Sequence, residues 1–400
     1  MSCRPLAEFS RWVFFLILSV VSADLCRATD APPAHLDPVN EPALLLEEYH
    51  FFQDGRRQIP NTRVIPYELN TPHFADYARL QRFLWLPLNS SIAYHESGDL
   101  EYPLGAVLIL TVSYLNDLRD PALGEDLIET RLLIHREQGW QAAQYHWNQE
   151  ETEARLSVTG MQTDVFWTHY DGTRRSHTYT APNQNHCKQC HELDGAMVPL
   201  GPTSADRINR PFQYADGAEN QLTRWSKLGY LIGAPDDPED VARMAVWDDP
   251  STGTVEQRAK AYLEMNCSSC HRPQGIAYTS GLDLTFVRSS PVKYGVYKAP
   301  VAAGRGVGHG RFAIDPGRPE RSFLVHRLRS TDPGVRMPIV GRELCHEEGA
   351  ALVEQWIEQM HFAELAAAQS QADRHSIFRF TITEEPDEND SQLQESGSQP

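Results

Sequence analysis

Two copies of one five-residue motif constrain this chain more than any other feature. The first is Cys187-Lys188-Gln189-Cys190-His191 and the second is Cys267-Ser268-Ser269-Cys270-His271. Cys-X-X-Cys-His is the attachment signature of c-type haem. Its thiols stand about one helical turn apart, so each can add to a haem vinyl group, and the adjacent His becomes the proximal iron ligand. The sequence therefore predicts two covalently attached haem c groups, held by Cys187, Cys190 and His191 and by Cys267, Cys270 and His271.

Three other chemistries use similar cysteine pairs. Four thiolates could hold one zinc ion, but structural zinc pairs usually lie closer together in sequence and do not need the trailing His. A thioredoxin-like dithiol follows a strand and has no second copy. A disulfide across two intervening residues is strained and would be a labile redox bond. Haem is the interpretation that uses every residue of both motifs.

The N-terminus has the pattern of a secretory signal peptide. A basic start precedes the apolar run 12–18, and Val21-Ser22-Ala23 places small residues at its end. We expect cleavage after Ala23 or, failing that, after Ala28. The run is too short for a comfortable membrane span, and no other segment is apolar enough to be one. The mature protein is therefore expected to be soluble and periplasmic, where haem is attached covalently.

The net charge limits the macromolecules that this protein can bind. The formal net charge of −18 would repel nucleic acid and suits a redox partner protein with a basic surface.

The chain has seven cysteines, of which the two motifs use four and Cys3 leaves with the signal peptide. In an oxidising compartment Cys26 and Cys345 could pair, although the sequence does not show that they approach each other.

The 400 residues leave room for two or three domains. We expect a signal peptide at 1–23, a linker or extended arm at 24–61, a β-rich domain at 62–181, a first haem module at 182–250, a second haem module at 251–368 and an acidic disordered tail at 369–400.

The segment from 62 to 181 has strand patterns. Apolar residues alternate before and after a turn at 137–139, which predicts a hairpin, and further strands are expected at 82–85, 106–110 and 165–167. Short strands separated by turns predict an antiparallel β-sandwich-like domain. We find no catalytic constellation in this segment.

Beyond Cys187 the spacing of apolar residues becomes helical. Leu222, Trp225, Leu228 and Ile232 predict one helix that stops at Gly233. A capping box at 254–257 begins a second helix that leads into Cys267, and apolar residues over 352–360 predict a closing helix. The expected fold class is therefore multidomain α+β, in which α-helical cytochrome c-like haem modules follow the β-rich domain.

Each haem iron needs a sixth ligand or an open position. Met337 lies in a loop before the closing helix, the following Pro stiffens that loop, and thioether ligation raises the reduction potential. The other candidates at the second site are His309, His326 and His346. The first site has four candidates and no preferred one: Met197, Met244, His177 and His186. An open position there would permit peroxide chemistry.

A glycine-rich run at 300–308 lacks the Lys-Ser/Thr ending of a nucleotide-binding loop. Glycine allows close approach of backbone to a ligand, so this run could pack against a haem edge, with Arg305 pairing with a propionate. An ordinary surface loop is the equal alternative.

The chain resembles an uncharacterised family of bacterial di-haem c-type cytochromes, some of which are encoded beside parallel β-helix proteins. The resemblance covers roughly residues 45 to 361 and is carried, beside the two motifs, by segments 67–72, 129–133, 300–306, 331–338 and 346–349. It implies periplasmic electron transfer and gives no established substrate or partner. Cys345 has no role in these motifs.

Three functions remain to be weighed. The first is an electron-transfer protein with two low-spin haems, and the second is a di-haem oxidoreductase such as a peroxidase or the electron-accepting arm of a dehydrogenase. The third is a zinc-stabilised secreted binding protein. The first is favoured because no acid–base pair is evident beside either motif. The sequence leaves open whether the protein is an enzyme, its oligomeric state and its reduction potentials.

Overall fold

A computed structural model describes residues 32–36, 41–286, 290–302 and 304–360. The predicted signal peptide, Cys3, Cys26, Ala303 of the glycine-rich run and the predicted tail lie outside these residues. Within the described ranges, the helices are all too short or too polar to cross a membrane.

The described residues form short strands, most of them in the first half of the chain. The strands are β1 Phe52–Asp54, β2 Ile59–Pro60, β3 Val64–Tyr67, β4 Arg79–Trp85, β5 Ile92–Tyr94, β6 Leu100–Glu101, β7 Val107–Leu115, β8 Glu125–Arg136, β9 Gly139–Trp147, β10 Ala154–Leu156, β11 Met161–Thr168, β12 Arg174–Ala181, β13 Glu192–Leu193, β14 Ala196–Met197, β15 Pro211–Tyr214, β16 Gly217–Asn220 and β17 Leu231–Ile232.

Helices are short and concentrated in the second half. The α-helices are α1 Gln184–His191, α2 Gln221–Lys227, α3 Val255–Cys267, α4 Pro291–Tyr294, α5 Phe323–Arg329 and α6 Glu347–Glu358. Single 3₁₀ turns span Leu46–Tyr49, Pro121–Leu123, Ala205–Arg207, Pro238–Asp240, Pro250–Thr252, Tyr278–Ser280, Arg305–Val307 and Pro319–Arg321.

The largest sheet has six strands in the order β10-β9-β8-β7-β4-β3, all antiparallel to their neighbours. The β8–β9 hairpin turns at Gly139, where φ is +103°, a conformation that favours glycine. β11 and β12 form a separate hairpin packed beside β7. The strands predicted at 82–85, 106–110 and 165–167 fall in β4, β7 and β11, so the N-terminal β-rich prediction is compatible with the fold.

Side chains alternate between the two faces of this sheet. Phe83 and Trp85 of β4 face the 3₁₀ turn Leu46–Tyr49, whereas Leu84 between them faces a second apolar core. That second core includes Ile208 and Trp225, which come from the chain between the two Cys-X-X-Cys-His motifs. The chain between the motifs is therefore packed onto the sheet.

This packing overturns the predicted fold class. Strand makes up 29% of the structure and helix 23%, so the second half does not consist of α-helical cytochrome c-like modules. The helix predicted through Ile232 ends at Lys227, Leu228 is 48% exposed, and Leu231–Ile232 pairs as a strand with β5. Helical spacing could not reveal this, because the sheet supplies the partners that convert the segment into a strand.

Two predicted helices are confirmed. Thr254 and Gln257 form the predicted capping box at the start of α3, with Gln257 N donating to Thr254 Oγ1 at 3.2 Å and Thr254 N to Gln257 Oε1 at 2.9 Å. α3 packs against the closing helix α6, and their shared core includes Tyr262 and Trp356. This pair fixes where Cys267, the last residue of α3, enters the second motif.

Because α2 ends at Lys227, the side chains of Trp225 and Leu228 should contribute very differently to stability. Trp225 is fully buried and lies edge-on to Tyr67 with ring centroids 5.7 Å apart. Trp225→Ala should lower the free energy of unfolding by about 3–5 kcal/mol through the cavity it leaves. Leu228→Ala, its control, should change it by less than about 0.5 kcal/mol. Urea unfolding followed by circular dichroism measures both, and equal losses would contradict the packing described.

Candidate functional site

The first motif occupies the C-terminal half of α1. Asn183 caps this helix by accepting a hydrogen bond from His186 N at 3.0 Å. Cys187 and Cys190 lie three residues apart and both line the same cavity. His191 is held by Val198, whose carbonyl oxygen lies 2.8 Å from His191 Nδ1 and whose N–H donates to the His191 carbonyl at 2.8 Å.

That contact fixes the tautomer of His191. A carbonyl oxygen only accepts, so Nδ1 carries the proton, and burial lowers the pKa of the ring. The neutral ring therefore keeps its lone pair on Nε2. A metal-binding His characteristically donates its other ring nitrogen to a carbonyl in this way.

The second motif begins at the last residue of α3. Beyond Cys267 the chain turns tightly, with Cys270 N and His271 N donating to the Cys267 carbonyl at 3.2 and 2.9 Å. His271 Nδ1 lies 3.1 Å from Ser280 Oγ, a second example of an imidazole fixed through Nδ1. Burial, followed by the charge of Arg327, lowers the pKa of His271 to about 4, so this ring is also neutral.

One cavity of about 780 Å³ contains both motifs. All four cysteines and both histidines line it. Inside it the Cys190 and Cys270 thiols interact, which raises the pKa of Cys190 and lowers that of Cys270. Cys270 Sγ also lies 3.6 Å from the Gln189 carbonyl oxygen. Residues 80 positions apart in the sequence thus bring the two motifs side by side.

The cavity wall is rich in cations. Arg82 is 7% exposed, its Nη1 donates to the Leu80 carbonyl at 3.1 Å, and its Nη2 has no hydrogen-bond partner among the described residues. Arg131, Arg327 and Arg336 line the same space. Guanidinium groups at the wall of a cavity, one of them buried with an unused donor, suit an anionic ligand. Haem carries two propionates, so this wall fits haem.

A buried network supports Arg131. Glu129 on β8 is fully buried and accepts hydrogen bonds from Arg131 at 2.5 Å, from Tyr179 at 2.5 Å and from Gln144. Burial alone would raise the pKa of Glu129, but the Arg131 charge and these donors outweigh it and hold the pKa below its usual range. The sheet therefore keeps Arg131 charged beside Cys187.

The structure places Met337 at the cavity, as the sequence prediction requires. Its N–H donates to the Arg327 carbonyl at 3.1 Å, and Arg327 is the cation whose charge reaches His271. Arg342, 4% exposed, donates to the carbonyls of Met337, Leu328 and Leu344 at 2.7 to 3.0 Å. One buried arginine thus shapes the Met337 loop next to the second motif.

Several candidate sixth ligands lie elsewhere. At the second site, His309 and His326 are exposed, and His346 stacks on Phe74 with ring centroids 4.2 Å apart. None of these three is among the residues that line the cavity. Cys345 is a partly buried free thiol, also outside the lining.

Most of the candidate sixth ligands for the first site also lie away from the cavity lining. Met244 is 3% exposed inside an apolar cluster, and Met197 belongs to β14. His177 Nε2 lies 3.7 Å from Asp76 Oδ2. Of the four candidates named from the sequence, only His186 lines the cavity, and it belongs to α1 beside Cys187.

Arg305 is also placed away from the cavity lining. Its side chain is 74% exposed and pairs with Asp332 at 2.7 Å. In the glycine-rich run, Gly306 lies against Arg327, because a Cβ there would come within 2.1 Å of Arg327 Nη2. The lack of a side chain at Gly306 therefore leaves room for the Arg327 side chain.

Among the cavity residues that the sequence did not reveal are His73, Arg82 and Arg131. His73 lies in the β3–β4 connector, residues 68–78, and Arg82 and Arg131 lie on β4 and β8. Each is a polar residue in a segment read for strand pattern alone. Only the contact of the sheet with the two motifs reveals them.

The donor set bears on the zinc alternative. Across the described ranges, no group of three or more His, Cys, Asp or Glu side chains is arranged to hold a metal ion. A haem iron needs only one protein ligand from each motif, its His, so the lack of such a group does not bear on haem binding.

No family model, curated protein or solved structure matches the chain.

The burial of His346 predicts a pH dependence. Burial, followed by the charge of Arg342, lowers its pKa from 6.5 to about 4. Between these values the unfolded chain binds a proton that the folded chain does not, so stability falls as the pH drops through this window. His346→Phe retains an aromatic ring and cannot titrate. Between pH 6.5 and 4, we expect the free energy of unfolding of His346→Phe to fall less than that of the wild type, by a difference of up to roughly 3 kcal/mol.

Urea unfolding across this pH range measures the difference between the two proteins. The other buried histidines are common to both and cancel. Parallel pH profiles for wild type and His346→Phe would contradict the prediction.

Proposed function

We propose that this protein is a di-haem c-type cytochrome that transfers electrons in the periplasm. The observation that carries the proposal is that both Cys-X-X-Cys-His motifs line one cavity, with Cys190 in contact with Cys270. Two unrelated motifs would have no reason to share a cavity. Two haem attachment sites that exchange electrons have to lie close together.

The donor chemistry supports the same proposal. Cys187 and Cys190 would hold one haem and Cys267 and Cys270 the other, with His191 and His271 as the proximal ligands. Met337 is proposed as the sixth ligand at the second site. Haem c supplies one-electron oxidation and reduction. The protein contributes fixed imidazoles, apolar walls and buried arginines, which together tune that chemistry.

Electron transfer is favoured over catalysis by what surrounds the motifs. Glu129, the carboxylate whose charge acts on Cys187, is fully engaged by Arg131, Gln144 and Tyr179. A general base needs a carboxylate that can accept a substrate proton. The net charge of −18 favours a redox partner with a basic surface, and the N-terminal sequence pattern favours export.

The first test counts covalent haem in protein matured in a c-haem-competent periplasm. A pyridine haemochrome assay should give two haems per chain. Cys187→Ala/Cys190→Ala and Cys267→Ala/Cys270→Ala should each give one, because each removes both thioether positions of one site. Cys345→Ala, a cysteine outside the cavity lining, is the matched control and should keep two.

A colourless protein that contains zinc would overturn the proposal. A stopped-flow mixing experiment with hydrogen peroxide separates an electron carrier from a peroxidase. A carrier should show no fast spectral change, and rapid peroxide consumption by the di-haem protein would favour the oxidoreductase.

The arginine wall gives a second prediction. A buried cation favours the reduced iron, which carries one positive charge less, so Arg82→Met should lower the midpoint potential of one haem. We expect a shift on the order of 50 mV, the equivalent of about 1 kcal/mol for one electron. Arg305→Met removes a largely exposed arginine and should leave both potentials unchanged. Spectroelectrochemical titration measures both variants, and a shift with Arg305→Met alone would reverse the assignment.

A further inference from the structure

The β3–β4 connector is fixed on both sides of His73. Before it, Asn70 Nδ2 donates to the Met244 carbonyl at 2.7 Å and Thr71 Oγ1 to the Ala245 carbonyl at 2.7 Å. After it, Phe74 N donates to Asn266 Oδ1 at 2.8 Å, one residue before Cys267. The backbone position of His73 is therefore set by the part of the chain that carries the motifs.

The connector is also fixed further along. The buried carboxylate of Asp76 accepts hydrogen bonds from Glu343 N at 2.8 Å and Leu344 N at 2.7 Å. Six residues before Leu344, the same loop carries Pro338 and, just ahead of it, Met337. The connector thus links the sheet to both motifs and to the proposed sixth ligand of the second haem.

The His73 side chain lines the cavity and lies near the first motif. Its electrostatic neighbours are Arg82, Arg131 and His191. His191 belongs to the first motif, and Arg131 interacts electrostatically with Cys187 of the same motif. His271 of the second motif is influenced instead by Arg327, the neighbour of Met337.

A structural role for the His73 ring is not visible. Within the described part of the chain, its imidazole has no hydrogen bond and no aromatic contact. Two other part-buried histidines have visible structural contacts: His346 bonds Tyr262 at 3.1 Å and stacks on Phe74, and His135 stacks on Trp140. An imidazole at the cavity lining with no such contact among the described residues is free to serve as a ligand there, and its neutral form is the one that binds a metal.

We propose that His73 is the second axial ligand of the haem held by Cys187, Cys190 and His191. The proposal rests on the di-haem function proposed above and assigns the ligand that the sequence left open. It makes the first site a bis-His site supplied partly by the sheet. With Met337 at the second site, the two haems would have different potentials, the first lower than the second.

Competing ligands are less well placed. His186 is part of the same helix as Cys187, so it comes from the side of the motif. Met244 is enclosed in an apolar cluster with Ala245 and Ala261. His73 reaches the cavity from a different element of the fold, which is what a second axial ligand requires.

The experiment begins with the wild-type, full-length, di-haem protein. Its haem count tests the proposed function by itself, and fewer than two haems defeats that function before any His73 variant is made. With two haems present, ferric spectra and electron paramagnetic resonance should show both irons low-spin. A high-spin iron in the Cys267→Ala/Cys270→Ala protein, which should carry only the first haem, would overturn the His73 assignment alone.

His73→Ala should keep two covalent haems and convert one of the two irons to high-spin. Added imidazole should restore the low-spin spectrum, a rescue that a purely structural role would not give. His73→Met should remain low-spin, with the lower of the two midpoint potentials raised because a thioether replaces an imidazole. It serves as the second variant should the alanine protein fold poorly.

His186→Gln is the competitor control and should leave both spectra unchanged. High-spin conversion in His186→Gln, or two low-spin irons with unchanged potentials in both His73 variants, would overturn the proposal.

Discussion

The hydrogen bonds of the β3–β4 connector hold the two halves of this protein together. Asn70 and Thr71 bind the carbonyls of residues 244 and 245, and Asp76 binds the backbone of residues 343 and 344. Asp76 is buried, and burial raises its pKa, so the backbone donors offset a real desolvation cost. Without these bonds the cavity would lose the wall that bears His73, and the Met337 loop would lose its anchor.

The shared cavity explains why a β-sheet is attached to two Cys-X-X-Cys-His motifs. Arg82 and Arg131 project from β4 and β8, where strand alternation and the Glu129 network fix them. A sheet keeps charged groups in place at low cost in side-chain freedom, which a mobile loop cannot do. The proposed electron carrier therefore uses the sheet as the rigid side of its redox site.

Sequence reasoning predicted what local chemistry encodes. The strands within 82–85 and 106–110, the hairpin at Gly139 and the α3 capping box each depend on neighbours in sequence. It was wrong about the fold of the second half, and it extended α2 through Ile232. The reason lies in the tertiary structure. β17 forms because β5 offers a strand edge with which it can pair, and the spacing of apolar residues alone does not reveal that edge.

The sequence by itself determined the two Cys-X-X-Cys-His motifs, since thiol spacing and an adjacent His are local properties. It also singled out Met337, which the structure places at the cavity. Only the tertiary structure decided that Cys190 meets Cys270, that Arg305 faces solvent, and that His73 and Arg82 reach the same space. Those are contacts between residues distant along the chain, and they exist because the chain between the motifs packs onto the sheet.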